Sequence, residues 1–144
     1  QTMTIRDKVE GERVIPLTPF VAHLLNFLPR RNAWVFSSEK AADGRLSDPN
    51  PIHSRIIKAA GLPHLTLHGL RRSFGTLAEW VEMPTGIVAQ IQGHKPSAIV
   101  EKHYRRRPVD LLRMWHSKLE AWILEQGGVQ FVASSSPGRL QVVA

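Results

Sequence analysis

Alternating apolar and polar residues at the start of the chain predict a β-hairpin over residues 2–17. β-Branched side chains are frequent in residues 2–5 and 13–17, and Glu10-Gly11 supplies a turn between the two strands. This places Lys8 at the end of the first strand or in the connection. A lysine at the rim of a hairpin is by itself an ordinary solvated residue.

A helix is predicted directly after the hairpin, with Thr18 as N-cap, Pro19 at its first position and Pro29 at its end. Residues 34–36 are predicted to form a short buried segment, and residues 37–51 a loop of roughly a dozen residues, longer than usual. The apolar face of the helix is expected to consist of Phe20, Leu24, Phe27 and Leu28.

Apolar residues at three- and four-residue steps predict that most of the remaining chain is helical. The expected helices cover residues 52–60, 67–81 and 109–126, with a short one ending at Gly93 and another running from Pro96 to about Tyr104. The predicted fold class is therefore mainly α with a small antiparallel β-hairpin, an α+β chain. Residues 1–126 are expected to form one domain, and the Gly/Ser-rich residues 127–144 a weakly ordered tail.

Charge narrows the choice of partner. The 144 residues include 19 Lys+Arg and 12 Asp+Glu, which gives a net charge of +7. This favours a polyanionic partner, nucleic acid before membrane, because the sequence has no basic amphipathic anchor and no apolar run of the ~20 residues that span a bilayer. The absence of cysteine excludes disulfides and thiolate nucleophiles, and it fits the reducing cytoplasm. Gln1 in place of an initiator Met favours a fragment of a longer protein.

Three short patterns carry candidate chemistry. His68-Gly69-Leu70-Arg71 places an imidazole and a guanidinium one helical turn apart, where both reach one ligand and the arginine fork matches phosphate oxygens. His94 follows Gly93 at a turn between helices. Tyr104, the one tyrosine of the chain, lies ten residues after His94 and directly before three arginines. Each pattern taken singly is also compatible with an ordinary surface residue.

Metal and nucleotide chemistry receive no support from the sequence. His64 and His68 are four residues apart, but the glutamate of the metalloprotease pattern is absent, and Pro63 argues against a helix through His64. Neither a P-loop nor a dinucleotide-binding fingerprint is present. We therefore expect no metal and no other cofactor.

Taken in order, the hairpin Lys8, His68-x-x-Arg71, Gly93-His94 and Tyr104 resemble the catalytic domain of the tyrosine recombinases, the phage integrase family. The resemblance extends over residues 2–126, and residues 65–76 are close to the second conserved box of the family. It implies the tyrosine recombinase catalytic core fold. It also implies a double-stranded DNA partner with specific recombination sites, a homotetramer on DNA and a monomer in its absence. A prophage or mobile-element enzyme that acts in the bacterial cytoplasm is expected.

The resemblance also implies a role for each residue. Tyr104 is the expected nucleophile, forming a covalent 3′-phosphotyrosyl link. Arg71 and His94 are expected to stabilise the phosphate, His68 to orient it or assist proton movement, and Lys8 to be the general acid. The DNA backbone is expected to be held by Arg72, Lys95, Arg105, Arg106 and Arg107.

Two departures from the family pattern leave alternatives open. The family has a further catalytic arginine before the hairpin, which lies outside this chain, and the spacing from His94 to Tyr104 is one residue longer than the commonest. This chain could thus be a DNA-binding module without catalysis of its own, or an enzyme resembling type IB topoisomerases. The helix over residues 109–126 either packs on its own domain or docks onto a neighbouring protomer.

Overall fold

The computed structural model describes residues 1–7, 11–94 and 106–132. Within these ranges the chain is mainly helical with one two-stranded antiparallel sheet, which confirms the predicted fold class. The chain divides into two compact units, Gln1–Leu28 with Thr85–Ala144 and, separately, Pro29–Pro84. The elements are β1 Thr2–Asp7, β2 Gly11–Pro16, α1 Pro19–Phe27, α2 Asn50–Ala59, α3 Leu67–Glu79, α4 Thr85–Gln92 and α5 Val109–Gln126.

The hairpin of the first unit is confirmed. Strands β1 and β2 pair from Thr2 opposite Pro16 to Asp7 opposite Gly11. Gly11 has a φ of 83°, a conformation that favours glycine at the start of the returning strand. Lys8 lies outside the described residues.

Helix α5 supplies much of the buried surface of the first unit. The helix has the predicted bounds, Val109–Gln126. It contacts β2 and α4. Leu112 and Leu119, seven residues apart on one face, are buried, as is Ile87 of α4. The apolar side chains of Leu111 and Ile123 on the same helix are exposed.

Helix α1 begins at Pro19 after Thr18, as predicted, and ends at Phe27. Its predicted apolar face is wrong in part, because the buried residue of the helix is Ala22, whereas Leu24 is exposed and Phe27 is 74% exposed. The buried face of α1 is therefore centred on Ala22 and not on the larger apolar side chains.

The start of α1 is capped from a distant part of the chain. Thr18 is buried, but its side chain caps none of the described first-turn N–H groups. Instead the carboxylate of Glu120, on α5, accepts hydrogen bonds from the N–H groups of Phe20 (2.9 Å) and Val21 (3.2 Å). A negative charge at this position also interacts favourably with the positive end of the helix dipole.

In the second unit, the prediction of a buried segment at residues 34–36 is wrong. Trp34, Val35 and Phe36 are 45%, 46% and 57% exposed. They belong to a surface loop, in which the indole N–H of Trp34 donates to the carbonyl of Asp43 (3.0 Å) and the Arg45 guanidinium lies over the indole ring. Trp34 thus has polar partners within the loop while it remains at the surface. The predicted long connection is observed up to the start of α2.

Helix α2 begins at Asn50, two residues before the predicted start, and Gly61 follows its end with a φ of 64°. Beyond α5 the chain turns through Gly128, at a φ of 63°, and the Phe131 ring packs edge-on against Phe20 of α1. The predicted helix from Pro96 and residues 133–144 of the predicted tail lie outside the described residues. None of the helices in the described ranges is long and apolar enough to span a membrane.

Candidate active site

The His68-x-x-Arg71 pattern lies at the beginning of α3. Thr66 is the N-cap, and its side-chain oxygen accepts a hydrogen bond from the N–H of Gly69 (2.8 Å). His68 is therefore the second residue of the helix, and Arg71 follows on the same face one turn later. Both side chains are exposed, as is Arg72. A helix N-terminus that presents N–H groups, an imidazole and a guanidinium is suited to an anion.

Gly69 has a geometric role in this arrangement. A Cβ at this position would lie 3.1 Å from Leu65 Cδ1 and 3.2 Å from Thr66 Oγ1, closer than most side-chain contacts. A larger residue between His68 and Leu70 would therefore press on the capping threonine. The glycine of the motif keeps the cap, and with it the first turn of α3, in place.

His94 follows a glycine turn that ends α4. Gly93 has a φ of 67°, its N–H donates to the carbonyl of Gln90 (3.3 Å), and the N–H of His94 donates to the carbonyl of Ala89 (2.9 Å). These two bonds are the pair that defines a Schellman C-cap. The predicted turn is confirmed, and it presents the His94 side chain at the surface.

The side chain of Arg13, on β2, stabilises this turn through hydrogen bonds. Its guanidinium donates to the carbonyls of Ile91 (2.7 Å) and Gln90 (3.3 Å), which belong to the last turn of α4. A Cβ on Gly93 would come within 2.5 Å of the guanidinium carbon, so the arginine packs directly against the glycine. A cation at a helix C-terminus is also favoured by the helix dipole. The hairpin and the His94 turn are thereby linked through one side chain.

Sequence reasoning missed Arg13 as part of the site. A signal was present, because strand alternation places Arg13 on the same face as Ile15, which is buried. A charged residue on the inward face of a strand requires polar partners. Those partners proved to be backbone carbonyls, which no pattern of side chains reveals.

Gln90 was missed as well. Its side-chain amide donates through Nε2 to the carbonyl of Arg107 (3.0 Å), and the N–H of Arg107 donates to Gln90 Oε1 (3.0 Å). The guanidinium of Arg107 lies against Gly86, where an added Cβ would overlap it. Arg107 is thus seated on α4, whereas the neighbouring Arg106 is exposed.

His116 on α5 has an altered acidity. Its Nδ1 lies 3.2 Å from the carbonyl oxygen of Pro16 at the end of β2. Burial lowers the pKa of His116 below its ordinary value of 6.5, and the bond to Pro16 and the nearby Glu120 carboxylate offset part of that effect. The neutral imidazole is the form that the fold favours.

Some of the predicted site residues lie in the first unit, some lie in the second, and the others lie outside the residues that the structure describes. His68, Arg71 and Arg72 lie on α3 in the second unit, whereas His94, Arg106 and Arg107 lie in the first. The structure thus groups His68 with Arg71, and His94 with the supporting Arg13. Lys8, Lys95, Tyr104 and Arg105 lie outside the described residues, so their roles remain predictions. Within residues 1–7, 11–94 and 106–132, no group of three or more His, Asp or Glu side chains is placed to hold a metal ion.

Comparison with known proteins places the chain in a family. The sequence model of the phage integrase family matches residues 1–109, about three quarters of the chain. The chain belongs to the phage integrase family. The match includes every residue of the ordered motif set, from Lys8 to Tyr104, and confirms the resemblance to tyrosine recombinases.

A curated integrase is similar over nearly the whole chain. The prophage integrase IntF of Escherichia coli (strain K12) is 59% identical over 135 residues, which cover 89% of this chain and 29% of that protein. The chain therefore spans less than a third of the length of this relative integrase. No solved structure matches the chain.

Proposed function

We propose that this chain is the catalytic part of a site-specific DNA recombinase of the tyrosine type, which integrates or excises a prophage or related mobile element. The observation that carries the proposal is the family match over residues 1–109, which contains Lys8, His68, Arg71, His94 and Tyr104 in the family order. The similarity to a protein named as a prophage integrase supports the same class of reaction.

The reaction is an exchange of phosphodiester bonds. The Tyr104 hydroxyl attacks the scissile phosphorus, a 3′-phosphotyrosyl bond forms, and the bond to the 5′-oxygen breaks. Lys8 gives a proton to that leaving oxygen as general acid. In the second step a 5′-hydroxyl gives its proton back to Lys8 and attacks the phosphorus of the phosphotyrosyl link, and the bond to the tyrosine oxygen breaks as that oxygen regains a proton. The covalent link conserves the energy of the phosphodiester bond, so no ATP is consumed.

Charge stabilisation at the phosphate falls to cationic side chains. Phosphoryl transfer depends on positioning and on neutralising the non-bridging oxygens. Arg71 binds one such oxygen with its planar fork, and His94 donates a hydrogen bond to the phosphate. His68 orients the phosphate or assists proton transfer at the tyrosine. All three side chains are exposed, which supports these roles. The hydrogen bonds of Arg13 to the last turn of α4 stabilise the turn that carries His94.

The remaining cations bind the DNA backbone without reading its sequence. The net charge of +7 supports this role. The intact protein binds double-stranded DNA at specific sites as a tetramer, in the bacterial cytoplasm, and is a monomer in the absence of DNA. Helix α5 packs against β2 and α4 of its own unit, which is the first of the two alternatives for this helix. The proposed backbone-binding residues are Arg72, Lys95, Arg105 and Arg106, whereas Arg107 packs against α4.

A second candidate applies to this chain taken separately. In this alternative the chain is a DNA-binding module without catalysis of its own, and the further catalytic arginine implied by the family resemblance comes from another segment. Comparing DNA cleavage by the chain and by the intact protein distinguishes the two: adduct formation by the chain would contradict the second candidate. An enzyme of the topoisomerase type would instead relax supercoiled plasmid that lacks a recombination site.

The proposal is tested with a labelled duplex taken from the junction between the mobile element and the host chromosome. A nick next to the scissile phosphate lets the short 5′-hydroxyl fragment diffuse away and traps the covalent intermediate. On a denaturing gel the label is expected to migrate with the intact protein. Strand breakage without attached protein would indicate hydrolysis and would contradict the proposal.

A further inference from the structure

A contact in the first unit that the proposed reaction does not use joins Gln90 to the backbone of Arg107. Both polar atoms of the side-chain amide are used, one as donor and one as acceptor, each at 3.0 Å. Gln90 is half-buried and Gly86 is buried, and the two lie four residues apart on the same face of α4. The Arg107 side chain lies against Gly86, so this face of α4 seats Arg107 by both its backbone and its side chain.

Arg107 is only three residues after Tyr104 along the chain. Because each extended residue spans at most ~3.6 Å, the Cα of Tyr104 lies within about 11 Å of the Cα of Arg107 on any course of the intervening backbone. A fixed Arg107 therefore limits the distance between α4 and the backbone of the nucleophile. Helix α4 also leads directly into the turn that carries His94, and Arg13 donates hydrogen bonds to the last turn of the same helix.

We propose that Gln90 is a positioning residue for Tyr104, anchoring the chain that follows the nucleophile to the helix that presents His94. The proposal rests on the proposed function, in which Tyr104 attacks a phosphate that His94 binds. In-line attack requires the reacting atoms to be held close to the productive geometry, and a loosely anchored nucleophile loses that advantage. Gln90 touches no reacting atom and acts through the backbone of Arg107.

Three substitutions separate this role from general packing. Gln90→Met keeps the length and volume of the side chain and removes both hydrogen bonds. Gln90→Glu keeps the acceptor for the Arg107 N–H but places a carboxylate oxygen against the Arg107 carbonyl. Gln126→Met makes the same chemical change at the exposed last residue of α5 and is the matched control.

The experiment measures two quantities for the intact protein on the nicked junction duplex. One is the single-turnover rate of adduct formation at saturating DNA, and the other is the DNA dissociation constant from fluorescence anisotropy. Gln90→Met is expected to slow adduct formation about tenfold, in line with the loss of two hydrogen bonds, with DNA affinity unchanged within about twofold. Gln90→Glu is expected to be at least as slow, and Gln126→Met to equal the wild type.

Hydrogen exchange at the Arg107 amide tests the anchor independently of activity. It is expected to be slow in the wild type and in Gln126→Met and faster in Gln90→Met. A wild-type rate of adduct formation in Gln90→Met, or equal exchange in all proteins, would overturn the proposal. Equal losses of rate and DNA affinity would also overturn it, because they indicate a merely structural role. If the wild type forms no adduct while its Arg107 amide is protected, the proposed function fails, and the positioning role fails with it.

Discussion

Replacing Arg13 by methionine is expected to loosen the turn that carries His94. The substitution keeps a long unbranched apolar side chain and removes the guanidinium that donates to the Ile91 and Gln90 carbonyls. It also removes the group packed against Gly93. The Ile91 carbonyl then loses the guanidinium as a donor, whereas the Gln90 carbonyl keeps the bond from the Gly93 N–H.

The magnitude follows from the two bonds. A hydrogen bond to a charged group contributes about 1.5–3 kcal/mol, and the contact at 2.7 Å has the length of a strong charge-assisted bond. The second, at 3.3 Å, is long and contributes less. We therefore expect Arg13→Met to lower the free energy of unfolding by about 2–3 kcal/mol. Arg13→Lys keeps the charge without the fork and is expected to lose roughly half as much.

A double-mutant cycle with Gly93→Ala tests whether the arginine and the turn act as one unit. In the wild type the alanine Cβ meets the guanidinium and has an unfavourable φ of 67° as well. In the Arg13→Met background the guanidinium is gone and only the backbone penalty remains, about 1 kcal/mol. A coupling energy of about 2 kcal/mol is therefore expected from urea unfolding of the four proteins.

Additive effects of Arg13→Met and Gly93→Ala would refute this reasoning. The functional counterpart uses DNA cleavage by the intact protein. If Arg13 acts through His94, adding Arg13→Met to His94→Ala is expected to slow cleavage no further than His94→Ala does. An additional loss in the double variant, with DNA affinity preserved, would show that Arg13 acts by another route.

Three further tests address other parts of the account. Glu120→Gln is expected to lower the free energy of unfolding by about 1 kcal/mol, because one N–H of α1 loses its acceptor, whereas exposed Glu125→Gln leaves the urea midpoint unchanged. Burial lowers the pKa of His116 in the folded protein, so the unfolded chain takes up this proton first as the pH falls through 6.5. The free energy of unfolding is therefore expected to decrease over that pH range, and to decrease less steeply in His116→Gln. DNA binding by the intact protein should weaken steeply with salt, and a flat dependence would contradict phosphate contacts.

Local signals in the sequence predicted most of the elements. The bounds of α5 follow from Pro108 before it, Gly127 after it and an apolar stripe between them, and the structure reproduces them. Gly93 marked the end of α4 because a left-handed residue there completes the C-cap. His68 and Arg71 were predictable as a pair because three residues along a helix return to the same face.

Contacts between distant residues could not be predicted in this way. The cap of α1 was expected from Thr18, its sequence neighbour, but it comes from Glu120, 100 residues away from Phe20. Trp34 was expected to be buried because it is hydrophobic. At the surface, however, its indole N–H donates to the Asp43 carbonyl and its ring contacts the Arg45 guanidinium. Arg13 and Gln90 bind backbone atoms, whose positions depend on the whole fold, so no side-chain motif marks them.

The central claim is that Tyr104 is the nucleophile, and one substitution tests it most directly. Tyr104→Phe removes a single oxygen atom, so the intact variant should bind the junction duplex with wild-type affinity. The nicked, labelled duplex is then incubated with each protein and resolved on a denaturing gel. We expect a protein–DNA adduct with the wild type and none with Tyr104→Phe. An adduct that survives the substitution would contradict it.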